Sequence, residues 1–295
     1  MTTKRKVAIG FGIYLAVTIG IIAAVGWKGT KSPGYKPQDE FKLHTWVNLG
    51  IFSINKAVMY LFIAAVLTCA TMIYVARRMK QRPNRVQTAV EAVFQGLQNN
   101  IVGANMDRKM AAKWFPFIAT LALFIFYSNL IGYIPLPTST ETFNVFGLHI
   151  PAFSLYAATA NLSIPLVLAI VVFISYTAEG IRAKGPIGYL RGLIPAGVHG
   201  PMAGFIFVLE VLSNVMRLIS LSVRLFANIL AGHLIILFMA GALAVILGVS
   251  ALAWFTIPFG IALFAFEVGL VAALQAFIFA TLTAIYLGGA VAEEH

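Results

Sequence analysis

The run FIFVLEVLSNVMRLISLSVRLFANILAGHLIILFMAGALAVIL, Phe205 to Leu247, is apolar along its length and free of proline, yet it carries Glu210, Asn214, Arg217, Arg224, Asn228 and His233. An ionisable side chain at the bilayer centre costs on the order of 2.5 to 3.5 kcal/mol on insertion scales, so such a cluster inside an apolar run marks a functional site. Pro201 is a helix start signal and the next proline is Pro258. Residues 202–247 therefore read as one helix of about 46 residues, about 69 Å long. A bilayer core is only about 30 Å thick. Either the helix is steeply tilted or it breaks near Arg224, and the absence of Gly and Pro between Glu210 and Ala227 favours the unbroken form.

Composition agrees with a membrane reading. The chain has 295 residues, 60% hydrophobic and 11% charged, with a mean hydropathy of +0.89, far from the usage of ordinary soluble domains. The fold class expected is an all-α, polytopic membrane protein. Its net charge of +11 comes from Lys and Arg beside apolar runs, where they orient helices by the positive-inside bias. No basic stripe with interleaved aromatics points to nucleic acid. Cys69 is the single cysteine, so no disulfide within the chain and no Cys/His metal spacing is available. Phosphate loops, nucleophile elbows and HExxH motifs are absent. Neither a cofactor nor catalysis by this chain alone is expected.

Working outward, Lys4, Arg5 and Lys6 precede the apolar stretch Val7 to Trp27, which fits a first transmembrane helix or a secretory signal. The length of its apolar core favours the helix. Lys28 to Asn48 reads as an external connection, although its four lysines run against that orientation. Residues 1–48 thus form an N-terminal segment, and 49–295 the main channel-like domain. Within it, 49–76 is a span ending on the basic run Arg77, Arg78, Lys80, Arg82 and Arg85. In 85–103, Val86, Ala89, Val90, Val93, Leu97 and Ile101 recur at helical spacing opposite Gln87, Glu91, Gln95 and Gln98, which predicts an amphipathic helix on the membrane surface or against a partner subunit. Further spans are expected over 114–134 and 156–177, with Arg182, Lys184 and Arg191 on the inner side.

Gly248 to Ser250 is the natural turn between 202–247 and a last apolar helix over 251–292, which makes the two an antiparallel hairpin whose facing residues sum to about 500. By that register His233 faces Glu267, and Arg224 faces Gln275. At about 100° per residue, Glu210, Asn214, Arg217, Arg224 and Asn228 lie within roughly 40° of one line, while His233 points elsewhere. Glu210 and Glu267 are the only carboxylates between Met202 and Ala292, and neither is within a turn of Arg224. A guanidinium does not deprotonate, so its partner must come from another polypeptide or a water-filled cavity. Arg217 has a simpler reading, as a partner for Glu210 two turns away.

These residues resemble subunit a of the F-type ATP synthase. The matching runs are SNLIGYIP (Ser128 to Pro135), SVRLFANILAGH (Ser222 to His233) and LQAFIFATLTAIYL (Leu274 to Leu287). The resemblance implies a proton-conducting stator with two offset aqueous half-channels, separated by a buried Arg224 that faces the carboxylates of a rotating c-ring. It further implies peripheral-stalk b subunits and membrane lipids as partners, and a bacterial plasma membrane location with the C-terminus in the cytoplasm. By position, Glu210 matches the cytoplasmic half-channel and the His233 and Glu267 pair the outer one. Asn228 and Gln275 match polar positions near the arginine. Asn214, Asn129, Asn161 and Ser163 match possible lining positions. Two features depart from the family pattern: Asn161 and Ser163 stand where an acid and then an amide are expected, and Glu267 is eight residues before Gln275 instead of seven. A single-polypeptide cation transporter or antiporter is the rival reading. It would be expected to carry its own acid opposite Arg224, together with repeats and broken helices.

Overall fold

The computed structural model describes residues 12, 16, 45–49, 52–78, 85–136, 142–145, 148–151, 156–194, 198, 200–239 and 250–291. The expected first helix over 7–27, the turn at 248–249 and the acidic C-terminal residues lie outside the described residues. Among the described residues, five helices are long and apolar enough to cross a membrane. The fold class is the all-α membrane protein expected from sequence, with two short hairpins added in its connections.

The first hairpin pairs β1 (Thr45–Leu49) with β2 (Phe52–Asn55). It occupies the start of the span expected over 49–76, and helix α1 begins only at Lys56, ending at Arg78. The cause is local: Asn55 accepts a hydrogen bond from the Val58 backbone N–H at 3.1 Å, the N-cap bond that stops a helix from extending backwards. Helix α2 (Arg85–Gln95) is the predicted amphipathic element, and it continues through a π-helical run, Gly96–Val102. Leu97, Ile101 and Val102 of that run are buried, while Asn99 and Asn100 are exposed.

Helix α3 (Arg108–Gly132) starts six residues before the expected 114. Charged Arg108, Lys109 and Lys113 are good helix formers that an apolar window passes over. A second hairpin, β3 (Thr142–Val145) with β4 (Leu148–Pro151), follows. The span expected over 156–177 is displaced to α4 (Ser163–Lys184). Tyr156 to Ala160 instead forms a buried irregular stretch with one 3₁₀ turn, Ala158–Ala160. Asn161 sets the start of α4 by accepting the Ser163 N–H at 3.1 Å. Gly185, at φ +72°, ends α4 in a conformation that glycine adopts without strain and leads into α5 (Pro186–Arg191).

Helix α6 (Pro201–Leu237) runs without a break through Arg224. It is about 55 Å long by rise, so the unbroken reading holds over the described part of 202–247. Helix α7 (Ser250–Phe266), a π segment (Glu267–Val271) and α8 (Ala272–Val291) follow as one continuous helical run.

Two compact units can be distinguished. One comprises Leu43–Pro135, Tyr156–Leu230 and Val271–His295. In it α8 packs on α3 and α4, and α1 packs on α3. Ala272, Ala276, Ala280 and Ala284 recur every fourth residue of α8, all buried. Gly288 continues the row, and a Cβ there would overlap the Asn105 carbonyl oxygen. Such a ridge lets helix backbones approach closely, which is what holds helices together where lipid removes the hydrophobic drive between them. Across the α3–α4 contact Lys113 donates to both carboxylate oxygens of Glu179, at 2.5 and 2.7 Å. The other unit comprises Met1–Lys42, Leu136–Leu155 and Ala231–Leu270.

Candidate functional site

The predicted polar stripe is present on α6, and its members meet different surroundings. Near the start of the helix, Arg217 pairs with Glu210 at 3.4 Å, seven residues apart on the same face. Asn214, between them, donates from its amide to the Glu210 backbone carbonyl at 3.1 Å. Its oxygen lies 3.4 Å from the Tyr176 hydroxyl of α4. The Arg217 guanidinium stands 5.9 Å from the centroid of the Tyr286 ring on α8. Tyr286 in turn packs on Tyr176, with ring centroids 5.8 Å apart. Five side chains from three helices therefore close into one cluster around Glu210 and Arg217.

Two turns further along, Arg224 and Asn228 are both exposed. Within this chain Arg224 is left uncovered; the sequence expectation of an arginine that faces another polypeptide or a water-filled cavity concerns surroundings that a single chain does not supply. Among the described residues no carboxylate lies within ion-pair distance of Arg224, since the ion pairs present join Lys113 and Arg182 to Glu179, and Arg217 to Glu210. Gln275 is buried, where α8 packs on its neighbours, and makes no hydrogen bond to Arg224. The register placed these two opposite each other. Gln275 is buried and Arg224 exposed, and no hydrogen bond joins them among the described residues.

In the other unit, His233 is 3% exposed. The neighbouring Gly232 touches Glu267 so closely that a Cβ on the glycine would overlap its carboxylate. Glu267 opens the π segment. A π turn holds one residue more than an α turn, and this segment lies in the stretch where the sequence carries one residue more than the family pattern.

The remaining candidates sit on neighbouring elements. Asn129 is fully buried and accepts a hydrogen bond from the Thr159 hydroxyl at 2.8 Å. Its amide nitrogen has no hydrogen-bond partner among the described residues. Asn161 is engaged with the Ser163 backbone, and Ser163 is exposed. Nearby Tyr156 is buried, which pushes its phenol up to about 12. It stays neutral and acts as a hydrogen-bonding group.

Sequence reasoning missed Tyr176, Tyr286 and Gly232. The hairpin register did contain the last two: Arg217 with Tyr286 sums to 503, and Gly232 with Glu267 to 499; Tyr176 lies on α4, outside it. What hid them was their type, since tyrosine and glycine in an apolar run draw no notice beside charged residues.

The family model described as ATP synthase A chain matches residues 58–288. A protein named ATP synthase subunit a from Rubrobacter xylanophilus is 32% identical over 259 residues, covering 83% of this chain and 92% of its own. Proteins of the same name from Campylobacter hominis and Ehrlichia chaffeensis are 35% and 33% identical, over 83% and 88% of this chain and 95% and 98% of theirs.

Proposed function

The chain belongs to the ATP synthase A chain family, and from that premise we propose that it is the proton-conducting stator of the membrane sector, working with a c-ring. As a subunit it is not an enzyme alone. The observation that carries the reading is Arg224, exposed about 20 Å from the nearer end of a membrane-length helix. No acid of the described chain neutralises it. A permanent cation turned outward at that depth is costly against lipid, whereas a carboxylate carried past it by a ring of partner subunits would offset the cost. Arg224 would displace the proton from each arriving carboxylate and bar a direct leak between the two sides.

The polar groups on either side of the arginine supply the two half-channels. Glu210, with Asn214, lies about 21 Å from Arg224 along the helix, toward the cytoplasm. His233, beside Gly232 and Glu267, lies about 13 Å away in the other direction. Asn228 and Gln275 tune the middle, and Asn129, Asn161 and Ser163 belong to the outer side. The basic ends at Arg77, Arg78, Arg182 and Lys184 orient the chain in a bacterial plasma membrane with its C-terminus in the cytoplasm. Peripheral-stalk b subunits complete the set of partners. The transporter reading needs an internal acid for Arg224, and α6 would be expected to break; neither is seen among the described residues.

Replacing Arg224 by Ala tests the proposal. Proton-driven ATP synthesis in sealed vesicles falls to background while the complex assembles in normal amount; synthesis that survives the substitution overturns the reading.

A further inference from the structure

The proposed route of protons past Glu210 carries a difficulty, and the present inference rests on that reading. Arg217 is a second permanent cation on the same stripe, about 10 Å along the helix from both Glu210 and Arg224. A fixed positive charge standing in a narrow wet path would repel protons moving along it.

The geometry shows where that charge is held. The guanidinium lies over the Tyr286 ring at 5.9 Å, within the roughly 6 Å reach of a cation–π contact, and also takes the Glu210 carboxylate at 3.4 Å. Tyr176 packs on Tyr286, with ring centroids 5.8 Å apart, and so supports it from the side of α4. Tyr176 is buried, and Tyr189 stands beside it against Gly180. Glu210 pairs only with Arg217 among the described residues, and the Arg217 side chain is 43% exposed, so a guanidinium released from Tyr286 has room to move.

We propose that Tyr286, braced by Tyr176, parks the Arg217 guanidinium against α8 at the Glu210 end of the stripe, so that it does not swing along the stripe toward Arg224. Tyr286 is then a positioning residue that acts through Arg217. A purely structural tyrosine would matter for packing and be indifferent to the charge on α6.

The test is a charge-removal rescue in the assembled complex, reading passive proton flux through membrane vesicles stripped of the catalytic sector. Tyr286→Leu lowers the flux several-fold at unchanged abundance, Tyr286→Phe retains it, and Tyr286→Leu combined with Arg217→Gln recovers most of it. Loss in Tyr286→Leu that the second substitution does not relieve, or no loss at all, overturns the inference. If Tyr286→Leu fails to assemble, Tyr176→Leu, which removes the brace, is read in the same way with and without Arg217→Gln. Glu210→Gln separates the two levels. Unchanged flux in that variant sinks the route past Glu210 itself, whereas flux lost there but unaffected by Tyr286→Leu sinks only the parking role.

Discussion

The carboxylate of Glu267 rests against the backbone at Gly232, in space that a single methyl group would fill. The contact joins α6 to the π segment within one unit, next to His233. It makes the glycine a condition for where the acid sits.

Gly232→Ala should therefore push Glu267 out of place, with the 1–3 kcal/mol or so that overpacking costs in a tight site. Proton flux in vesicles is expected to fall several-fold, and Glu267→Asp, shorter by one methylene, to restore part of it in the double variant. An alanine that leaves flux untouched would show that the position of this carboxylate is irrelevant.

His233→Ala should slow passive proton flow far more than it lowers the amount of assembled complex. The imidazole is buried, so a small loss of stability accompanies the change. Comparing flux per complex with total complex tells the two apart, and equal decline in both would remove His233 from the path.

The alanine ridge of α8 predicts a contrast along one helix. Ala280→Leu should destabilise the detergent-extracted protein by about 1–3 kcal/mol, seen as a lower aggregation temperature. Gly289→Ala, where nothing lies within 4 Å of the new Cβ, should be neutral or gain up to about 1 kcal/mol of helix propensity.

Between α3 and α4, Lys113→Met should cost more than Arg182→Met. Lys113 makes both short bonds to the largely buried Glu179, whereas Arg182 reaches it only at 4.0 Å. Since Lys113 itself is half exposed, a cost of about 1–3 kcal/mol is expected, measurable by thermal unfolding in detergent.

The long helices were legible because apolar length and missing proline act along the whole of α6 and α8, and no local event competes with them. Ends were harder to read. Asn55 and Asn161 reset the starts of α1 and α4 through single hydrogen bonds, which hydropathy does not register. In the site, charge found Arg217 with Glu210, and the register brought Glu267 against Gly232, the chain neighbour of His233. The tyrosines around Arg217 were not readable, because which side chains of α4 and α8 meet α6 depends on how the helices pack.

The wide turn at Glu267–Val271 has a consequence for heredity. A helix that takes up an additional residue in one loose coil does not pass the rotation on, so everything downstream keeps its aim. Deleting one residue of the loose coil is therefore expected to lower the amount of assembled complex less than deleting one residue within α8, which abundance of the two variants checks. Removing one amino acid from 268–271 is the small genetic step by which such a chain would return to regular spacing.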